Sequence, residues 1–194
     1  MKYIVLFVIC LIACFSASSQ TELILSGKDS KMTIRGTSSL HPWQCNVEQV
    51  SGQMKGEVIN GSLKAINSLV FNAPVSFIRS VKETGEYYDK NMDKNIYKAL
   101  DATKHGNITF TLSRLISTKP TGVEVSGLLR IAGSSKEINL TAKATSIANG
   151  IIFEGKVPIK MTDYNVEPPT ALFGTIKTGN EVTIEYKMVF LAGK

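Results

Sequence analysis

Over most of the chain, apolar residues recur at every second position, which is typical of half-buried β-strands. The alternation is clearest in four segments of the second half, residues 123–131, 138–144, 151–157 and 182–190. Turn signals separate the segments, among them the pairs Asn60-Gly61 and Asn149-Gly150. Asn-Gly favours a two-residue hairpin turn because both positions need a positive φ. The pattern predicts an all-β fold, either an antiparallel barrel or a sandwich.

The first Asn-Gly pair also predicts a strand register. Counting outward from the turn places Val58 opposite Leu63 and Glu57 opposite Lys64. One pair is apolar and the other carries opposite charges, so each face of the hairpin gains a favourable cross-strand contact.

One segment, about residues 92–101, has the period of a helix instead. Its apolar stripe recurs every four residues at Met92, Ile96 and Leu100, which indicates a short amphipathic helix. A short side-chain oxygen can cap its first turn, and the candidates are Asp89, Asn91 and Asp93. We expect this helix to bury its stripe against the end or flank of a barrel.

A second segment, residues 161–174, interrupts the strand pattern through Pro168 and Pro169. Proline lacks the amide that a central strand needs. We therefore expect an ordered loop that crosses one end of the barrel.

The N-terminus has the features of an export signal. Met1-Lys2 is positively charged, an apolar run of about 13 residues follows, and small residues lead to Gln20. We expect a signal peptide over residues 1–20 and one domain over 21–194, located in the periplasm or outside the cell. The alternative is a lipoprotein anchored through Cys14, because residues 11–14 resemble a lipobox.

Charge and cysteine content exclude several classes of protein. Without residues 1–20, net charge falls from +6 to +5 and Cys45 is the remaining cysteine. The basic residues are scattered and not interleaved with aromatic residues, so we expect no nucleic-acid partner. A single cysteine forms neither an intramolecular disulfide nor a CxxC site.

Catalytic patterns are missing as well. The two histidines, His41 and His105, lie in no metal-binding spacing, and no G-x-S-x-G motif is present. Asp163 and Glu167 could form a carboxylate pair, but the prolines that follow favour a role in stabilising the loop. We expect a protein without enzymatic activity, metal or cofactor.

Three segments together resemble the YceI family of exported, lipid-binding bacterial proteins. The first is Ser-Leu-His-Pro-Trp at 39–43, and the second is the helix followed by Ile-Thr-Phe at 108–110. The third, residues 125–138, resembles the family's G-x-L-x-I-x-G-x-x-K-x-[VI] pattern. The family usually has Asp-x-x-His-Ser in the first segment, so the resemblance assigns no role to His41.

The resemblance implies an eight-stranded antiparallel, lipocalin-like β-barrel that binds a long apolar chain, either a polyisoprenoid or a fatty-acyl lipid. The predicted role is sequestration or transport of this lipid, with transient membrane contact and a homodimer left open. Apolar and aromatic residues that face inward would line the pocket, and our candidates are Trp43, Phe71, Phe77, Ile96, Leu100, Phe110, Leu112, Leu129, Phe153 and Met188.

The alternative function is an envelope interaction module, in which side chains fill the barrel and the loops bind another protein. Small residues bear on this choice, because inward-facing small side chains leave room for a ligand. The residues in question are Gly127, Ala142, Ala144 and Gly155. They mildly favour a cavity.

Overall fold

The computed structural model describes residues 20–59, 62–120, 122–171 and 173–193. The expected signal peptide and the Asn60-Gly61 turn lie outside this part of the chain. Within it, one α-helix, α1 (Lys90–Ala99), follows six of the strands. The strands are β1 (Thr21–Leu25), β2 (Lys31–Ser38), β3 (Trp43–Val47), β4 (Ser51–Ile59), β5 (Ser62–Pro74), β6 (Ile78–Val81), β7 (Asn107–Lys119), β8 (Gly122–Ile131), β9 (Ser134–Ile147), β10 (Gly150–Lys160), β11 (Thr170–Ala171) and β12 (Ile176–Ala192).

Eight strands form a closed antiparallel barrel. The hydrogen-bonded order is β1-β4-β5-β7-β8-β9-β10-β12, and β12 pairs back onto β1. This confirms the predicted eight-stranded barrel. Alternation along β12 sends Met188 and Phe190 into the core, and Val189 between them is buried on the opposite face of the strand.

At one end of the barrel, the strands pair with partners outside the closed eight-stranded ladder. Beyond β1, the long strand β12 pairs with β2, which pairs with β3, which in turn pairs with β6. Among the described strands, β6 has β3 as its only ladder partner. Helix α1 packs against β6. This end therefore consists of diverging strands and a helix, whereas the other end is a closed ladder.

The hairpin predictions are partly right. Val58 lies opposite Leu63 as expected, but Glu57 lies opposite Ala65 and not Lys64, because the register shifts between Glu57 and Val58. The irregularity inserts a residue that counting from the turn cannot reveal.

The second Asn-Gly prediction is wrong by one residue. Gly150 pairs with Ile147, so the turn residues are Ala148 and Asn149. A side chain at position 150 would collide with the backbone of β12. Between β8 and β9, by contrast, the two turn residues Ala132 (47°) and Gly133 (80°) both have a positive φ.

Helix α1 starts two residues earlier than predicted and ends at Ala99, with Leu100 as its C-cap. Its N-cap is Asp89, whose side chain accepts a hydrogen bond from the Asn91 amide at 2.9 Å. Among the described residues, no helix has the length and apolar character to cross a membrane.

The closed half of the barrel is filled by large side chains. The ring of Phe110 occupies the space that a side chain at Gly127 would take, and Tyr186 does the same at Gly155. Phe153 and Phe190 meet edge to face with ring centroids 5.9 Å apart. The expectation that these glycines leave room for a ligand is therefore wrong, because aromatic rings from neighbouring strands fill the space.

Candidate functional site

A cavity of about 520 Å³ occupies the end of the barrel where the strands diverge. Its wall is contributed by β2, β3, the ends of β10 and β12, and one face of α1. Typical wall residues are Ile34, Trp43, Ile96, Leu100, Val182 and Ile184. The cavity reaches solvent beside Leu40, which is 65% exposed. Its volume is within the range of small-molecule pockets.

The segment with the two prolines closes part of this end. It begins with a 3-10 turn, Met161–Tyr164, and continues to the short strand β11, which pairs with the start of β12. Met161, Tyr164 and Val166 face the cavity. Lys136 and Asp163 form an exposed ion pair at 3.0 Å that joins the segment to β9. The segment is thus an ordered loop across the barrel end, as the prolines indicate.

The ten predicted pocket residues fall into three groups. Trp43, Ile96 and Leu100 line the cavity. Leu112 is half-buried against the core, and Phe77 is half-buried in a 3-10 turn outside both the cavity and the core cluster. The remaining five are buried in the filled half, namely Phe71, Phe110, Leu129, Phe153 and Met188.

Helix α1 is held in place by a polar cluster around Asp93, which is 2% exposed. The Asp93 carboxylate accepts hydrogen bonds from the Ser80 amide (2.7 Å) and the Tyr87 hydroxyl (2.9 Å). Arg79 lies 3.4 Å from it and also donates to the Tyr97 hydroxyl at 2.8 Å. These contacts fix the helix to β6, so they position Ile96 and Leu100 in the cavity wall.

The ionisation of Asp93 reflects opposing effects. Burial alone would raise its pKa, but the hydrogen bonds from Ser80, Tyr87 and Arg79 together hold the pKa below its usual range. The carboxylate therefore stays charged at neutral pH. Sequence reasoning assigned Asp93 only a capping role. The available signal was its position in the sequence. Asp93 lies four residues after the N-cap Asp89, at the edge between the apolar and the polar face of the helix.

Cys45 is a free, buried thiol in the cavity wall. Burial, with a contribution from the charge of Asp93, raises its pKa to about 12. Because the thiolate is the reactive form, this cysteine behaves as an apolar wall residue.

His41 lies at the rim of the cavity. Its Nδ1 atom is 2.6 Å from the Pro42 carbonyl oxygen. The ring meets Tyr88 edge to face, with centroids 6.5 Å apart. Tyr88 and His41 therefore form one side of the opening. Sequence reasoning did not select Tyr88, since it lies in a charged, turn-rich segment without periodicity.

The geometry is that of a small antiparallel barrel with a largely apolar cavity that is open at one end. A family model described as the YceI-like domain matches residues 25–190. The chain therefore belongs to the YceI-like family. A search of curated proteins finds no match.

Solved structures agree on the fold. Burkholderia cenocepacia BcnA is 18% identical, with a TM-score of 0.69 over 85% of this chain and 98% of the other. A polyisoprenoid-binding domain from Saccharophagus degradans, implicated in plant cell wall breakdown, is 12% identical, with a TM-score of 0.67 over 90% and 100%. A Campylobacter jejuni YCEI protein is 18% identical, with a TM-score of 0.60 over 77% and 84%. At these identities the likeness establishes the fold alone.

Proposed function

We propose that this protein binds a long apolar lipid, either a polyisoprenoid or a fatty-acyl chain, and sequesters or carries it outside the cytoplasm. The observation that carries the proposal is the cavity of about 520 Å³ with its apolar wall. The likeness to the Saccharophagus degradans domain, which is described as polyisoprenoid-binding, supports it.

The driving force is the burial of apolar surface. Each Å² removed from water contributes roughly 25 cal/mol before the costs of association are subtracted. Phe110, Phe153 and Tyr186 fill the other half of the barrel. The lipid chain therefore enters only the open half. A longer chain extends past the rim at Leu40 and Tyr88. The role is binding and not catalysis.

Native mass spectrometry of the protein purified from its own envelope tests this proposal. We expect a stoichiometric adduct whose extracted mass is that of an isoprenoid or acyl lipid. The same spectrum distinguishes a monomer from a homodimer. A bare protein mass that stays unchanged when lipids are offered would contradict the proposal and favour the interaction module.

We further propose export by a signal peptide over residues 1–20, which places the protein in the periplasm or outside the cell. The apolar run and the small residues before Gln20 support this. The intact mass of the mature protein is the test. A chain that begins near residue 21 fits soluble export, whereas an acylated Cys14 at the N-terminus would show the anchored alternative.

A further inference from the structure

An exposed aromatic residue projects from the barrel end that contains the opening. Strands β11 and β12 form a short hairpin there, and Thr170, Ala171 and Ile176 in its stem line the cavity. The Gly174 amide donates a hydrogen bond to the Ala171 carbonyl at 3.1 Å and closes the turn at the tip. Phe173 lies in this turn. Its side chain is fully exposed, more than any other large apolar residue in the described part of the chain.

The backbone of Phe173 makes this exposure more unusual. Its φ is 54°, and the next residue, Gly174, has a φ of 87°. Positive φ is unfavourable for a residue with a large side chain and is common at glycine. Because the ring is fully exposed, packing within the described part of the chain does not offset this cost. A partner that buries the ring would account for a phenylalanine at this position.

Two further residues extend the apolar surface around the opening. Leu40 is 65% exposed and Tyr88 is 47% exposed, and both line the opening. The loop that contains Leu40 is attached to the hairpin, since the Ser39 amide donates to the Lys177 carbonyl at 2.9 Å and the Lys177 amide donates to Ser39 Oγ at 3.1 Å. We call the three residues Leu40, Tyr88 and Phe173 the apolar rim.

The charges near the apolar rim nearly balance. Exposed lysines adjoin wall residues in α1 and in the hairpin, namely Lys90, Lys94, Lys98 and Lys177. Carboxylates oppose them in the wall, beside it and in the neighbouring groove, namely Asp89, Glu167 and Glu83. Two more lysines are paired with carboxylates, Lys82 with Glu86 and Lys136 with Asp163. His41 also lies at the opening. The cationic excess is small, so apolar contact is the main attraction that this surface offers.

We propose that the apolar rim docks on a lipid bilayer, with Phe173 and Leu40 inserted among the acyl chains and the opening facing the bilayer. A protein partner needs a complementary surface of roughly 800 Å² on each side, whereas a fluid bilayer accepts a single projecting side chain. Tyr88 is of a residue type that is enriched at membrane–water interfaces.

The position of the apolar rim gives this docking a purpose. The cavity wall continues to Leu40 at the opening, so an apolar chain passes between the bilayer and the cavity without crossing water. The inference goes beyond the binding function proposed above, because it concerns the surface at which cargo is exchanged. It rests on that function only for the exchange, since docking itself needs no cargo.

The test is flotation of the protein, purified from its own envelope, with phosphatidylcholine vesicles that contain or lack phosphatidylglycerol. We expect the wild type to float with both kinds of vesicle. Phosphatidylglycerol should raise the partition coefficient by no more than about fivefold, which is the effect of about one net charge at an anionic surface.

Variants assign the docking to the exposed ring. Phe173→Ser should lower the partition coefficient at least about tenfold, because a loss of about 1.4 kcal/mol is sufficient. Since the ring is fully exposed, the substitution removes no packing, and circular dichroism should be unchanged. Phe173→Trp should retain docking. The matched control is Ile59→Ser, because Ile59 is 49% exposed and pairs with Ser62 at the closed pole; it should leave docking unchanged.

A second readout separates docking from lipid binding. Phe173 is not among the described residues that line the cavity, so Phe173→Ser should keep its lipid adduct in native mass spectrometry but transfer that lipid more slowly to acceptor vesicles. A wild-type protein that floats with neither kind of vesicle would overturn the inference, leave the binding function standing and favour a protein partner. Equal flotation of the wild type and Phe173→Ser would also overturn it. Flotation without any lipid adduct would support docking and contradict the binding function.

Discussion

The two halves of this barrel have the same alternating sequence pattern but different interiors. In the filled half, Phe110 is 5% exposed and Phe153 is 6% exposed, and both pack among neighbouring strands. In the open half, Trp43, Ile96 and Leu100 surround a cavity. Alternation therefore tells which side chains face inward, but not whether they meet one another or an empty space.

Two physical features decide between these outcomes. In the filled half, glycines on one strand accept rings from the next, as Gly127 accepts Phe110. In the open half, β6 pairs with β3 among the described strands and helix α1 packs beside it. The contacts of Asp93 fix the position of the helix relative to β6. They therefore also fix the part of the cavity wall that the helix contributes. A cavity thus arises where a helix replaces a strand pairing.

The largest expected effect comes from placing the same charge in each half. Phe110→Asp removes a buried ring, which costs about 3–5 kcal/mol, and buries an unpaired carboxylate as well. Because domains are stable by only about 5–15 kcal/mol, we expect no folded protein. Leu100→Asp changes a half-buried wall residue and should leave the fold intact but abolish lipid binding. Circular dichroism and native mass spectrometry measure both effects, and a folded Phe110→Asp variant would contradict the distinction between the halves.

The next effect concerns the anchor of the helix. Asp93→Ala leaves the Ser80 amide and the Tyr87 hydroxyl without their acceptor, so we expect a loss of about 2–4 kcal/mol in the free energy of unfolding. The exposed carboxylate of Asp163, paired with Lys136, is the matched control. Asp163→Ala should cost less than about 1 kcal/mol. Urea denaturation compares the two, and equal losses would show that the Asp93 cluster does not hold the helix.

Acid should remove this anchor in a defined direction. The folded-state pKa of Asp93 lies below its usual value, so its contribution to stability is full above the unfolded pKa of about 3.9. It is lost as the pH falls through the lower folded pKa. The difference in unfolding free energy between the wild type and Asp93→Asn should therefore shrink below about pH 4. A difference that is constant from pH 7 to the acid range would exclude this role of the charge.

A smaller effect tests the packing of glycine against an aromatic ring. A methyl group at Gly127 would lie 2.6 Å from the Thr111 carbonyl oxygen and would overlap the Phe110 ring. Gly127→Ala should therefore destabilise the protein by about 1–3 kcal/mol. At Gly106, the nearest atom to an added methyl group is 3.4 Å away, so Gly106→Ala is the control and should be nearly neutral. Thermal unfolding distinguishes the pair.

The smallest expected effect is a gain in stability. Ala132 has a φ of 47°, a conformation that costs a residue with a side chain roughly 1–2 kcal/mol. Ala132→Gly relieves this strain but increases the entropy of the unfolded chain. We expect a net stabilisation of about 0.5 kcal/mol by urea denaturation, and a loss of stability would show that contacts of the Ala132 methyl group matter more than the strain.

Much of the fold could be predicted from the sequence, because alternation, turn residues and prolines act locally. The barrel, the helix and the ordered loop each follow from such signals. The site could be predicted only in part. Phe110 and Leu100 have the same apolar character in sequence, and only the cross-strand position of Gly127 shows that Phe110 is enclosed. The strand register at Glu57 could not be predicted either, because no nearby sequence signal marks the irregularity.

The position of Thr21 has a consequence for attachment to a membrane. Thr21 pairs with Gly56, and Leu23 with Ala192, so the chain enters the barrel at the pole opposite the cavity. With 17 residues in β12, a rise of about 3.3 Å per residue and a tilt of about 40°, the poles are roughly 40 Å apart. Residues 15–20 span at most about 20 Å. If the protein is anchored through Cys14, the pole that lies nearer to the anchor in the chain is therefore the closed one and not the opening.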